Sequence, residues 1–186
     1  MPIATEKKLY KYLTQDGTGD ATTPTEVDIS QANGSPGSPV QYYVLPPNTE
    51  QWYIHSLIIA YKDVAGFSTD EFAGRNAPLS NGLMLGVASG DGSDSVLSLM
   101  NDLTQAVKVN SDWAPLVGIS NVEILPAGGS EFLVARWDFT LDDASEDGLP
   151  GIVLDGRKGQ RLTLVVQDNL SNIQGPFVVA VRGHKL

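Results

Sequence analysis

The stretch "QYYVLPPNTEQWYIHSLIIAYKD", Gln41 to Asp63, decides the fold. Residues 40–45, "VQYYVL", are β-branched and aromatic, with Val40, Tyr42 and Val44 on one side of a strand and Tyr43 and Leu45 on the other. Pro46 and Pro47 end that strand, because proline has no N–H to give to a ladder. A second, longer strand follows at once. Uninterrupted alternation puts Trp52, Ile54, Ser56, Ile58 and Ala60 on one face and Tyr53, His55, Leu57, Ile59 and Tyr61 on the other. Both faces are largely apolar, so this reads as a central strand covered on two sides. The Pro-Pro corner leads into it.

Working outward, the same period recurs. "GLMLGVASGDGSDSVLSLM" reads as two strands around the polar turn Ser89–Asp94. A helix over 94–107 competes, since Val96, Leu99, Met100, Leu103 and Val107 have helical spacing; the Asp-Gly turn favours the hairpin. "NVEILPAGGSEFLVARWDFTL" is a strand pair whose buried face carries Leu133, Ala135, Trp137 and Phe139. Strands are expected again over 161–167 and in the closing "PFVVAVRGHKL", and "STDEFA" has the residues for one helical turn. About eight strands separated by turn signals, with no long amphipathic helix, predict an all-β, antiparallel β-sandwich of jelly-roll-like form. The domain is expected over 40–186.

Residues 1–39 differ in kind. "TQDGTGDATTPTEVDISQANGSPGSP" is rich in Gly, Pro, Ser and Thr and poor in large apolar groups. Such a stretch buries too little surface to offset its ordering entropy alone. It is preceded by "EKKLYKYL", where cations interleave with aromatics. The expectation is an extended N-terminal arm that orders on a neighbouring subunit, with Lys7, Lys8, Tyr10, Lys11, Tyr12 and Leu13 as a partner-binding peg for an acidic protein surface. On that reading, removal of residues 1–20 leaves the sandwich folded.

Composition narrows the function. Twenty-two acids against 12 bases give a formal charge of −10, which repels nucleic acid as a main partner. No segment approaches the roughly 18 apolar residues of a membrane helix, so no membrane partner is expected, and the start lacks a secretory pattern. The absence of cysteine excludes disulfides, thiolate metal sites and a cysteine nucleophile.

Chemistry-bearing motifs are few. His55 lies mid-strand with no neighbouring acid or nucleophile in sequence and reads as a packing or interface residue; His184 reads as part of an exposed end. In the loop from Asp143, Asp143, Ser145 and Asp147 with Gly148 imitate the first half of a calcium loop. Position 12 is Leu154 rather than a bidentate Glu, and Asp155 comes one place late, so a plain acidic loop is preferred. No phosphate-binding glycine loop, nucleophile elbow or zinc-protease helix motif is present. The expectation is therefore a non-enzymatic protein without cofactor or metal.

Several phrases, taken together, resemble virion structural proteins of tailed bacteriophages. They are "KKLYKYLTQDGTGDATTPTEVDIS", "YYVLPPNTEQWYIHSLIIAYKDVAGFSTDEFAG", "APLSNGLMLGV", "VKVNSDWAPL" and "LDGRKGQRLTLVVQDNLSNI". The shared layout is a polar arm, a strand opened by an aromatic after "PP", an "LSNGL"-like turn, an "N-x-DW" loop, and "G-x-x-L-x-L-x-x-x-D-x-L". The resemblance covers most of the chain and contains no catalytic motif. It implies a jelly-roll-like capsid decoration (cement) protein, commonly a homotrimer, made in the host cytoplasm and carried on the virion, with the major capsid protein and its own copies as partners. A tail, baseplate or head-fibre role is the alternative within that class. A carbohydrate-binding module using Trp52, Trp113 or Trp137 is the alternative outside it.

Overall fold

The computed structural model describes residues 7–63, 72, 77–88, 94–100, 117–126, 131–139, 152–173 and 175–186. Ten strands lie among them: β1 Lys7–Tyr12, β2 Val40–Val44, β3 Gln51–Asp63, β4 Leu83–Ala88, β5 Asp94–Met100, β6 Val117–Pro126, β7 Glu131–Phe139, β8 Ile152–Asp155, β9 Arg161–Val166 and β10 Phe177–Lys185. One sheet runs β1-β10-β3-β7-β6, with β8 also paired to β3; the other runs β2-β9-β4-β5. Every pairing is antiparallel. The chain passes from one sheet to the other between β1 and β2, β2 and β3, β3 and β4, β5 and β6, β8 and β9, and β9 and β10. This interleaving of β1-β10-β3-β7 with β2-β9-β4-β5 is the strand order of a jelly roll. The hairpin reading of the 83–100 region holds, with β5 paired to β4; residues 101–107 of the rival helix lie outside the described residues.

The core sits between the sheets and follows the period-2 pattern. Leu162, Leu164 and Val166 of β9 and Phe177, Val179 and Val181 of β10 are fully buried, as are Val44, Leu83 and Trp137. Tyr61, Phe72 and Phe177 form an aromatic cluster, with centroids 5.2 to 6.2 Å apart.

β3 departs from simple alternation. Trp52 and Ile54 are buried in its first half, and Leu57, Ile59 and Tyr61 in its second. The inward phase therefore switches between Ile54 and Leu57. Against β10 the register jumps there: Arg182 faces Ser56, whereas Gly183 faces Ile54, leaving His55 as the extra residue of a β-bulge. A side chain at Gly183 is impossible without movement, because its Cβ would lie 1.7 Å from the Tyr53 carbonyl oxygen. The same point divides the opposite edge of β3, where β8 pairs with 51–54 and β7 with 56–63. The face assignment expected from uninterrupted alternation is thus corrected. A one-residue bulge reverses every side chain beyond it.

The expected boundary at residue 39 is also corrected. β1 is an edge strand of the six-stranded sheet, paired along its length with β10. Leu9, Leu13, Ile29 and Ala32 belong to the core. Backbone bonds tie this segment down: Leu13 N–H donates to Val179 O (2.9 Å), Ile29 N–H to Phe177 O (2.8 Å) and Tyr43 N–H to Thr14 O (2.8 Å). Burying each of Leu13 and Ile29 contributes about 2 kcal/mol, enough for sparse anchors to hold a segment poor in apolar groups. Residues 7–39 are part of their own sandwich.

Candidate interaction surface

Strand alternation splits the expected peg in two. Leu9 points inward and is buried; Lys8 and Tyr10 point outward and are exposed, and Tyr12 on the same face is half-buried. Lys11 points inward: its side chain is only 13% exposed, its ammonium pairs with Asp20, and it lies 5.7 Å from the Trp52 ring centroid. Leu13 is fully buried. Lys11 and Leu13 are therefore committed within the chain, whereas Lys7, Lys8, Tyr10 and Tyr12 remain at the surface.

The ladder extends the outward group across four strands. Lys8 faces His184, His184 faces Tyr53, and Tyr53 faces Val153. At about 4.8 Å per strand this row spans about 14 Å. In the neighbouring row Tyr10 faces Arg182, whose guanidinium carbon lies 5.8 Å from the Tyr10 ring centroid. Tyr10 and Tyr12 meet edge-to-face at 5.3 Å. Burial pushes the Tyr10 phenol pKa up, helped by Tyr12, so the ring stays neutral and its face remains a cation acceptor.

His184 is not an isolated exposed end. Its ring stacks on Tyr53 at 4.9 Å, and its Nδ1 lies 2.6 Å from His55 Nε2. One of these nitrogens donates and the other accepts. The bulge places His55 against a residue 129 positions away, so the two histidines missed in sequence as partners form one aromatic stack with Tyr53. The alternation of Arg182 and His184 in "VRGHK" was the available signal for a polar stripe on this face.

A second region, at the side of the sandwich, is an open depression of about 770 Å³. Asp16, Asp20, Glu26 and Asp28 line it together with Tyr42 and several Thr and Gln side chains; no Lys, Arg or His does. The hydrogen bond from Thr14 holds the Asp16 carboxyl below its ordinary pKa, and backbone N–H groups of Thr22 and Thr23 do the same for Glu26. Asp28 Oδ1 accepts from the N–H of Ser30 (2.9 Å) and of Phe177 (3.1 Å).

The remaining candidates are structural. Asp155 is buried and accepts from Arg157 Nε (2.9 Å), Arg157 Nη2 (2.8 Å) and Gln51 Nε2 (3.0 Å). The Arg157 hydrogen bonds hold its carboxyl far below the usual carboxylate range. Its oxygens are taken up by these donors; Asp143, Ser145 and Asp147 lie outside the described residues. Trp52 and Trp137 are buried, which removes them as sugar platforms, and Trp113 lies outside the described residues. Trp52 Nε1 donates to Glu50, which also pairs with Lys185. Asp168 is buried and gathers the backbone N–H groups of Ser80 (3.1 Å), Asn81 (2.9 Å) and Gly82 (3.0 Å). Among the described residues no group of three or more His, Cys, Asp or Glu side chains is arranged to hold a metal, and no helix is long and apolar enough to cross a membrane.

The chain matches no protein-family model, and no curated protein or solved structure is detectably similar to it.

Proposed function

We propose that this chain is a non-enzymatic structural protein of a tailed-bacteriophage virion, a capsid decoration protein that binds the major capsid protein and stabilises the shell. In this role it is made in the host cytoplasm and acts as a homotrimer. The observation that carries the reading is the jelly-roll strand order, an architecture shared by viral capsid and lectin domains, together with the phage-like phrases. Two of those phrases meet in space: the aspartate of "G-x-x-L-x-L-x-x-x-D-x-L" is Asp168, and it holds the backbone of the "LSNGL" turn. A shell-binding protein needs a rigid scaffold and weak contacts multiplied by symmetry rather than a reactive centre.

Quantitative composition of purified particles tests the proposal. The expected result is a copy number that scales with the capsid lattice. A copy number of a few to about a dozen reassigns the chain to a tail, baseplate or head-fibre position, where symmetry is low. Absence from particles rejects the virion role, and binding on a glycan array would then favour the carbohydrate module.

A further inference from the structure

We propose that the outer face of the six-stranded sheet, around Lys8, Tyr10, Arg182 and His184, docks onto the carboxylate-lined depression of a second copy of this chain, head to tail. The inference concerns only the chain's own two surfaces and stands whether or not the chain is carried on a particle.

The sheet face has the makeup of a binding surface. Tyr10, Val153 and Leu186 are 50%, 43% and 64% exposed, and they are three of the four large hydrophobic side chains so exposed among the described residues. Ladder register puts Tyr10, opposite Arg182, and Val153, opposite Tyr53, on this face, and Leu186 follows β10 directly, its N–H bonded to Gln51 O. Tyr and Arg are the side chains that most often anchor protein interfaces.

Charge selects the occupant. Four cations find a carboxylate within the chain: Lys11 has Asp20, Lys185 has Glu50, Arg157 has Asp155 and Arg136 has Asp138. Lys8 and Arg182, like Lys7, Lys158 and Arg161, have none within ion-pair distance among the described residues; Lys8 and Arg182 share one face through neighbouring rows of the β1–β10 ladder, and Arg182 lies over Tyr10. The depression is the converse: no cation is in its lining, and of its four carboxylates only Asp20 has a cationic partner, Lys11, leaving Asp16, Glu26 and Asp28 without one among the described residues. The chain therefore carries both halves of a complementary pair on different surfaces. Two different surfaces that recognise each other between copies make a heterologous contact, which closes into a ring or continues as a filament. Opposite charges also steer the encounter and make it sensitive to salt.

The test uses the full chain and analytical ultracentrifugation at about 20 mM and about 500 mM salt, where screening lengths differ severalfold. The wild type associates at low salt, and its association weakens by at least about tenfold at high salt. A Lys8→Glu/Arg182→Glu variant and an Asp20→Asn/Glu26→Gln variant are each monomeric. Their mixture gives a two-copy species and nothing larger, since one brings an intact acidic depression and the other an intact sheet face. Circular dichroism melting verifies that both are folded; if either is not, Tyr10→Ala, which removes only an exposed ring, carries the test with the same expected loss. A wild type that stays monomeric at low salt overturns the proposal, as does an oligomer unchanged by these substitutions, or a mixture that fails to associate. A monomer that binds heparin through Lys8 and Arg182 also overturns it and assigns the face to an acidic polysaccharide.

Discussion

The N-terminal segment, residues 13–38, and strand β10 are bonded to each other, yet they owe their order to opposite causes. β10 is periodic: Phe177, Val179 and Val181 are buried in turn, and two ladders hold its backbone. The segment has no period. It is held at points, by Leu13, Ile29 and Ala32 in the core and by side chains that accept backbone N–H bonds: Asp28 from Ser30 and Phe177, Glu26 from Thr22 and Thr23, Asp16 from Thr18. The difference teaches that low apolar content does not by itself make an arm. A few complete burials, combined with polar side chains that bond the backbone locally, can replace a ladder.

The harshest challenge to this comparison is deletion of residues 1–20. It removes β1 with buried Leu9 and Leu13, about 4 kcal/mol of apolar burial before the lost ladder is counted. Against a typical total of about 5–15 kcal/mol, loss of the cooperative melting transition is expected. A truncated chain that melts within a few degrees of the full one would restore the arm. Next comes Leu13→Ala set beside Val179→Ala. The point anchor should lose about 3 kcal/mol and the ladder residue about 2 kcal/mol in urea titrations. A Leu13 loss below that of Val179 would mean that the segment is only draped on the core.

Asp28→Ala leaves the N–H groups of Ser30 and Phe177 without their acceptor, with an expected loss of about 2 kcal/mol; an unchanged urea midpoint would show that water substitutes fully. Smallest is Glu26→Gln, which is best seen through pH. Backbone N–H groups hold the folded Glu26 pKa below its unfolded value. The carboxylate's contribution is therefore present above about pH 4.3 and is lost as pH falls through the lower folded value. Wild type should melt higher than Glu26→Gln at pH 7, and the gap should shrink progressively as the pH is lowered below the unfolded value. A gap that persists in acid would assign the effect to something other than the charge.

Much of the fold was legible because the inward faces of β2, β9 and β10 alternate without interruption. Trp137 and Phe139 of β7 are likewise buried as their spacing predicts. The phase reversal in β3 was not legible, since a bulge is fixed by the partner strand. It depends on Gly183 passing against the Tyr53 carbonyl, a contact invisible in the local pattern around His55. The interaction surface was half legible. The alternation of "KKLYKY" could have separated Lys8 and Tyr10 from Lys11 once a strand was assumed. The meeting of Lys8, His184, Tyr53 and Val153 could not be read, because it depends on the registers of three separate pairings. The Asp168 clip likewise joins residues 86 to 88 positions apart.

The pairing of β1 with β10 has a mechanical consequence. Lys7 lies opposite Lys185, so whatever is joined ahead of β1 and whatever follows β10 depart from one corner of the sandwich. A tension applied between those two points does not load the antiparallel ladder in shear. It opens the bonds one after another, beginning at the corner, as a zipper opens. The molecule should yield at low force when pulled this way. It should resist far better when tension runs along β3, which is paired with β10 on one edge and with β8 and β7 on the other.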